Sequence, residues 1–322
     1  MSKIADIAKA VGVSTATVSR AFNHHPYVDE ALRNKIIEIG LRMGYAPTIS
    51  SSRRNFGIMF GRFKFSYYER QLLYHLTDGI LSQGYNIQIV NTAQVQLAHK
   101  NTYRGMFLLS DFSENDFSAL KKLNIPILFV NFARSGFYSV STDHKLSMEI
   151  AMTHLIKRGH EKIAFLRAHE NHWGSNLREI GYKETLIKYN IPFVPKLVSY
   201  FNDRDDIMKK VINLLKYKPT ALIVDGEGNA APVNSALIRA GVKVPEELSV
   251  VCFEDEEYTR YTTPPYTAIK QDFSALGHVA ASIMLQLIST SKAGKIPLNS
   301  VIPGNTIISR DSVMTINPIK EA

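Results

Sequence analysis

From Phe56 to Phe253, short apolar runs alternate with segments of helical periodicity. The apolar runs are FGIMF, YNIQIV, MFLLS, ILFVN, KIAFL, LVSYF, ALIV and LSVVCF. Alternation of this kind specifies parallel sheets covered by helices, because two parallel strands need a crossover connection that is usually a helix. The alternation starts a second time with a helix predicted from Lys145 to Arg158, which Gly159 ends. We therefore predict two α/β lobes with a cleft between them.

The first fifty residues have a different pattern, that of three short helices. Apolar side chains recur on one helix face at Ile4, Ile7, Ala8 and Val11, and again at Val18, Ala21 and Phe22. Gly12 ends the first helix and Ser14 can cap the second, so the two helices are joined by a tight turn. A third helix is predicted from Asp29 to Met43. This is the helix-turn-helix arrangement, whose second helix enters the major groove of DNA.

The outer face of the second helix carries the candidate DNA contacts. Arg20 is the strongest candidate for reading a base, because its guanidinium matches O6 and N7 of guanine. Thr15, Ala16 and Ser19 share this outer face. The candidates for holding phosphates and setting the register are Ser14, Thr17, Asn23 and Tyr27. Residues 1–55 hold eight lysines and arginines against four acids, and the net charge of the chain is +9. A solvated basic surface would explain the charge alone, but the motif favours a polyanionic partner.

Composition and missing motifs exclude other classes. Cys252 is the single cysteine, which rules out an intramolecular disulfide and fits a reducing compartment. No signal peptide or run of membrane-spanning length is found, so we expect a cytoplasmic protein. His154 and His160 lack the spacing of a zinc-binding helix, and no metal or other cofactor is expected. No phosphate-binding loop or nucleophile elbow is present, so no enzyme is predicted.

The first helices resemble a known family. Residues 3–23, KIADIAKAVGVSTATVSRAFN, and the following VDEALRNKIIEIGLRMGYAP are similar to the opening signature of the LacI/GalR (lactose-repressor) family. Later segments, from STDHKLSMEIAMTHLIKRGHEKIAFL to ISRDS, resemble landmarks of that family's sensor domain in order. The resemblance implies an all-α helix-turn-helix DNA-binding domain at 1–47 and a short linker at 48–55. It also implies a two-lobed, periplasmic-binding-protein-like ligand-binding and dimerisation domain at 56–322, with Rossmann-like lobes and parallel sheets.

The resemblance further implies where the lobes divide and what the linker does. The first lobe would comprise about 56–141 and 271–298, and the second about 142–270 and 299–322. In the family the linker forms a hinge helix whose leucine wedges into the minor groove, but ISSSRRN is short and lacks that leucine. Two interpretations remain open. Either Arg53 and Arg54 contact phosphates from a flexible linker, or a shortened hinge helix uses Ile49 as the wedge.

The resemblance also implies effector-binding residues in the cleft. Arg178 belongs to the family's Arg-x-x-Gly-Tyr motif, and Glu254 stands where an acid usually accepts a hydrogen bond from the ligand. The other candidates are Tyr67, Tyr68, Trp173, Phe201 and Glu227, and for each aromatic residue ordinary packing is the alternative. We expect a sugar or sugar derivative. Three arginines, Arg62, Arg134 and Arg178, would also allow a sugar acid or a sugar phosphate.

These observations predict a sequence-specific DNA-binding regulator, expected to be a repressor. Its partners would be double-stranded DNA with a near-palindromic operator, a second copy of the chain, and a small-molecule effector that modulates operator affinity. An alternative is a sensor domain that responds to a protein partner, as in catabolite-control relatives. A solute-binding transport protein would share the sensor fold, but residues 1–47 argue against it.

Overall fold

The chain forms two compact units, Met1–Asn55 and Phe56–Ala322. A computed structural model describes residues 4–22, 27–43, 55–60, 66–90, 103–109, 112, 114–122, 124–168, 172–289 and 296–316. Some residues singled out from the sequence lie outside these ranges: Asn23, Ile49, Arg53, Arg54 and Arg62.

The first unit contains the three predicted helices: α1 (Ile4–Val11), α2 (Thr15–Phe22) and α3 (Glu30–Arg42). Between the first two, Gly12 has φ +76°, a conformation that glycine adopts without a Cβ penalty. Ser14 caps α2, since its Oγ accepts a hydrogen bond from the backbone N of Thr17 at 3.0 Å. One apolar core joins the helices, formed by Ile7, Ala8, Val18, Ala21, Phe22, Val28 and Ile36. The expected helix-turn-helix is confirmed.

Within the described residues, the second unit contains two six-stranded sheets, one in each lobe. The first lobe comprises β1 (Asn55–Met59), α4 (Tyr67–Leu81), β2 (Asn86–Val90), β3 (Gly105–Leu108), α5 (Glu114–Lys122), β4 (Ile127–Val130), β5 (Tyr138–Thr142), α11 (Phe273–Ile288) and β11 (Asn299–Ile302). The second comprises α6 (His144–Ile156), β6 (Ile163–Ala168), α7 (Trp173–Lys188), β7 (Val198–Phe201), α8 (Arg204–Leu215), β8 (Ala221–Val224), α9 (Ala230–Arg239), β9 (Ser249–Phe253), α10 (Glu257–Tyr261), β10 (Thr267–Lys270) and β12 (Thr306–Ile308).

Both sheets are covered on their two faces, as the alternating pattern predicts. The first sheet has the strand order β11-β5-β4-β3-β1-β2 and the second β12-β10-β9-β8-β6-β7. In the second sheet the strand pairings are parallel except for that of β10 with β12. Successive residues of β8 belong to two different apolar clusters, Leu222 and Val224 to one and Ala221 and Ile223 to the other. A strand that is buried on both faces reads as a continuous apolar run, which explains ALIV.

Among the described residues the chain crosses between the lobes after β5, after β10 and after β11. We expected the chain to return to the second lobe from Asn299 onward, and this is wrong. Asn299–Ile302 forms β11, which pairs in parallel with β5 in the first sheet. A hydrogen bond of 2.7 Å from Ser139 Oγ to Asn299 Oδ1 supports this pairing. The last crossing therefore lies at residues 303–305.

Candidate DNA interface and effector cleft

The second helix of the first unit presents the predicted DNA-binding residues to solvent. Thr15, Ala16 and Arg20 are exposed, while Val18 on the opposite face is buried. Ser14 and Tyr27 are exposed as well, and Thr17 and Ser19 are half-buried. The hydroxyl of Ser14 lies 2.9 Å from that of Thr17 in addition to capping the helix. The burial pattern thus leaves the face with Arg20 available for the major groove.

In the second unit a buried ionic cluster lies where two neighbouring strands end. Arg178 of α7 donates from Nη1 to Oδ1 of Asp225, which follows β8. Its Nη2 lies 3.5 Å from Oε1 of Glu254, which follows β9. Arg178 is 4% exposed, Glu254 3% and Asp225 0%. Ligands of open α/β sheets bind at the carboxyl ends of the strands, so this cluster has the position of a binding site.

The two carboxyl groups differ in protonation. Burial alone would raise the pKa of Asp225, but the charge of Arg178 and hydrogen bonds from Arg178 and Ser175 keep it below its usual value. Burial raises the pKa of Glu254 to about 7, although Arg178 and Gln271 oppose the rise. Near neutral pH one guanidinium therefore faces one ionised carboxylate and one carboxyl group that is partly protonated.

Gln271 joins this cluster to the segments that cross between the lobes. Its Nε2 donates to Oε1 of Glu254. Its Oε1 accepts from Thr142 Oγ1 at 2.6 Å and from Asn131 Nδ2 at 3.2 Å. Thr142 ends β5 at the first crossing, and Gln271 lies just after β10 at the second. A change at Glu254 therefore acts directly on groups at two of the crossings.

An aromatic contact between the lobes lies beside the cluster. The ring of Trp173 is 5.3 Å from that of His144 and 5.8 Å from that of Phe132 in the first lobe, measured between centroids. His144 is 3% exposed, and neither of its ring nitrogens has a hydrogen-bond partner among the described residues. Burial and the charge of Arg178 lower the pKa of His144 well below its usual value. The imidazole is therefore neutral, with one donor and one acceptor nitrogen.

The two tyrosines of the first lobe that were predicted to bind the effector also contact the second lobe. The backbone N of Tyr68 donates to Oε2 of Glu227, and Tyr67 Oη donates to the backbone O of Asp255 at 3.3 Å. Both rings meet Phe273 edge-on. Tyr67, Tyr68 and Glu227 thus form contacts between the lobes.

Phe201 is placed differently from the other effector-binding candidates. It lies in an apolar cluster of the second lobe that also contains Leu166 and Val224. These apolar surroundings are those of ordinary packing, the alternative given above for each aromatic candidate. A contact between Phe201 and an effector stays a prediction.

Sequence reasoning missed three members of the cleft: His144, Asp225 and Gln271. Asp225 had a recognisable signal, because it directly follows the apolar run ALIV at a strand end. The family resemblance pointed instead to Glu227, two positions later. The interactions of His144 and Gln271 depend on residues distant in the chain, and the sequence contains no local signal for them.

The fold and these sites define a DNA-binding regulator with a two-lobed sensor domain. Residues 3–48 match the model for bacterial regulatory proteins of the lacI family, and residues 152–313, half of the chain, match a periplasmic binding protein-like domain. The chain belongs to the lacI family of bacterial regulatory proteins. No helix within the described residues is long and apolar enough to cross a membrane.

Individual relatives match nearly the whole chain. The probable HTH-type transcriptional repressor ExuR of Bacillus subtilis (strain 168) is 28% identical, over 97% of this chain and 98% of its own. The HTH-type transcriptional repressor PurR of Haemophilus influenzae (strain PittEE) is 24% identical, over 98% of this chain and 100% of its own. These relatives are transcriptional repressors rather than enzymes.

Two solved structures share the fold over nearly all of both chains. One is the lac repressor dimer bound to operator and the anti-inducer ONPF, with TM-score 0.75, 21% identity, and 97% and 99% coverage. The other is a CelR–cellobiose complex, with TM-score 0.73, 19% identity, and 97% and 100% coverage.

The raised pKa of Glu254 predicts that the free energy of unfolding decreases as the pH rises. A carboxyl group whose pKa is higher in the folded chain stabilises it below its usual pKa, near 4.5, and loses this contribution as pH rises through about 7. Glu254→Gln cannot titrate, so its stability relative to wild type should rise between pH 4.5 and pH 8, by at most about 3 kcal/mol. Chemical denaturation of the full chain across this range measures the difference.

Glu246→Gln, at an exposed position, is the matched control. A difference between Glu254→Gln and wild type that stayed constant across the pH range would contradict the assignment.

Proposed function

We propose that this protein is a homodimeric transcriptional repressor whose affinity for a near-palindromic operator is modulated by a small molecule bound between its lobes. The supporting observation is the buried cluster of Arg178, Asp225 and Glu254 in a chain that also presents Arg20 on a helix-turn-helix. The protein would act in the cytoplasm, and catalysis forms no part of this function.

The contacts between the lobes support modulation by an effector. Trp173 meets Phe132 across the cleft, and Glu227 accepts from the backbone of Tyr68. A ligand that bridges the same surfaces would bias how far the lobes close, and closure would change the spacing of the two DNA-binding heads. The CelR neighbour was solved as a complex with cellobiose. For this chain we propose a sugar or a sugar derivative as the effector.

Arg20 should make the main contact that recognises a base of the operator. Removing its guanidinium in Arg20→Ala should weaken binding to the operator by about 1–3 kcal/mol, or roughly 5- to 150-fold, because a bidentate contact to guanine is lost. Arg20→Lys should retain non-specific binding while losing discrimination at one base pair. A duplex that wild-type protein selects from a random pool serves as the probe in fluorescence anisotropy.

Arg42→Ala is the control, since Arg42 on α3 is exposed and pairs with Glu38 at 3.3 Å. Equal losses for Arg20→Ala and Arg42→Ala would show that Arg20 contributes charge but does not read a base.

Trp173 should report effector binding by its fluorescence. It is the single tryptophan of the chain and lies between His144 and Phe132, so its emission reports on the cleft alone. A compound that changes operator affinity by 5- to 150-fold, the usual range of allosteric coupling, should also change this emission. Titration of a sugar library with and without operator tests both readouts.

Trp173→Phe should abolish the optical signal while calorimetry still detects binding. Compounds that release the operator without affecting Trp173 emission would place the effector elsewhere.

A second copy of the chain should cover the groove between α9 and α10. Ile238, Tyr258 and Tyr261 line this groove and are strongly exposed, with Ile238 at 66%. Exposed apolar side chains that share one groove are typical of an interface, and the lac repressor neighbour is described as a dimer. Ile238→Glu should therefore yield a monomer with weakened operator binding, as measured by light scattering and anisotropy.

Ile187→Glu is the matched control, because Ile187 is 75% exposed on α7. A dimer that survived Ile238→Glu would place the interface elsewhere.

A further inference from the structure

The guanidinium of Arg178 is already neutralised within the chain. Asp225 accepts from Nη1, and its other oxygen, Oδ2, accepts from Ser175 Oγ, so both carboxylate oxygens have protein partners. Glu254 lies beside Nη2. Two carboxyl groups thus face one positive charge. An anion arriving at Arg178 would have to approach Asp225 and Glu254 as well, and like charges repel strongly in a buried site.

Other carboxyl groups follow the same two strands. Asp255 is paired with Arg310 and, at 2.9 Å, with Arg260, while Glu256 accepts from the backbone N of Gly228. Burial raises the pKa of both Glu227 and Glu256. The strand ends therefore supply many acceptor groups, and Arg178, Arg260 and Arg310 each have a carboxylate partner.

We infer that Asp225 is an internal counter-ion for Arg178, so that the cleft excludes carboxylate and phosphate effectors and takes an uncharged ligand that both donates and accepts hydrogen bonds. This inference rests on the proposed effector-binding function and narrows it. It excludes sugar acids and sugar phosphates as effectors, which the sequence had allowed because of three arginines. Of the other two arginines, Arg134 lies over the ring of Phe117 at 3.6 Å, and Arg62 is outside the described residues.

Buried atoms without partners indicate what the ligand must offer. Within the described part of the chain, Glu254 Oε2, Arg178 Nε and both ring nitrogens of His144 are buried and make no hydrogen bond. Glu254 Oε2, when ionised, needs a donor, and neutral His144 needs one donor and one acceptor. Hydroxyl and amide groups supply both. A carboxylate group or the dianionic phosphate of a monoester only accepts, so either group placed at Glu254 Oε2 would leave that atom unpaired at a substantial cost.

Asp225→Asn tests the counter-ion directly, with inorganic phosphate as the probe. The variant preserves the shape of the side chain but removes one of the two carboxylates that face Arg178, and only the more distant Glu254 contact remains. Phosphate at 10 mM should therefore raise the melting temperature of full-length Asp225→Asn by about 2–4 °C relative to sodium chloride of equal ionic strength. Wild type should show no such difference. Glu254→Gln should show a smaller rise, and it serves as the second variant if Asp225→Asn fails to fold.

Asp205→Asn, at an exposed position, is the matched control and should behave like wild type. Absence of a phosphate response in every folded cleft variant would overturn the inference, because the counter-ion would then not be what excludes anions.

A second comparison uses D-glucose and D-glucuronate, which differ in one carboxylate. If D-glucuronate changed Trp173 emission in wild type more strongly than D-glucose, the inference would be overturned while effector binding in the cleft stood. The inference would be supported if wild type responded to neither phosphate nor D-glucuronate while the cleft variants bound phosphate. Failure of the proposed function would be seen differently: compounds that bind in the cleft would leave the affinity for the operator unchanged.

Discussion

The sensor unit depends on one buried charge, the guanidinium of Arg178. A charge in that position is tolerated only when its partners hold it, and removing one partner of such a pair commonly costs about 3–5 kcal/mol. Here the partners come from different elements, because Asp225 follows β8 and Glu254 follows β9. Satisfying Arg178 therefore fixes α7 against the ends of two strands. The polar end of the second lobe is therefore held together by contacts within the chain.

The same cluster extends to the boundary between the lobes. Gln271 accepts from Thr142 and donates to Glu254, so one amide side chain connects the cleft with two crossing segments. A buried amide with both of its ends occupied has few alternative arrangements, and breaking either bond leaves a buried polar group unpaired. A rearrangement of the lobes at this point would have to exchange these hydrogen bonds for others.

Local periodicity predicted the fold better than it predicted the sites. The helices α1 to α3 follow from contacts three or four residues apart, and the buried strands from uninterrupted apolar runs. β11 was assigned to the wrong lobe because its partner strand is about 160 residues away, and the four residues NSVI do not encode that choice. The role of Asp225 was missed for a similar reason. An acid at a strand end contacts solvent, ligand or arginine depending on which helix packs above it, and the helix that supplies Arg178 lies about 47 residues earlier.

The pairing of β11 with β5 also sets the order in which the newly made chain can fold. The helix-turn-helix has a core of its own within the first 43 residues, whereas the first lobe is complete only once residue 302 has left the ribosome. At about 5–20 residues per second, synthesis of the intervening residues takes roughly 13–50 seconds. During that interval the nascent chain carries a finished DNA-binding head and an unfinished sensor.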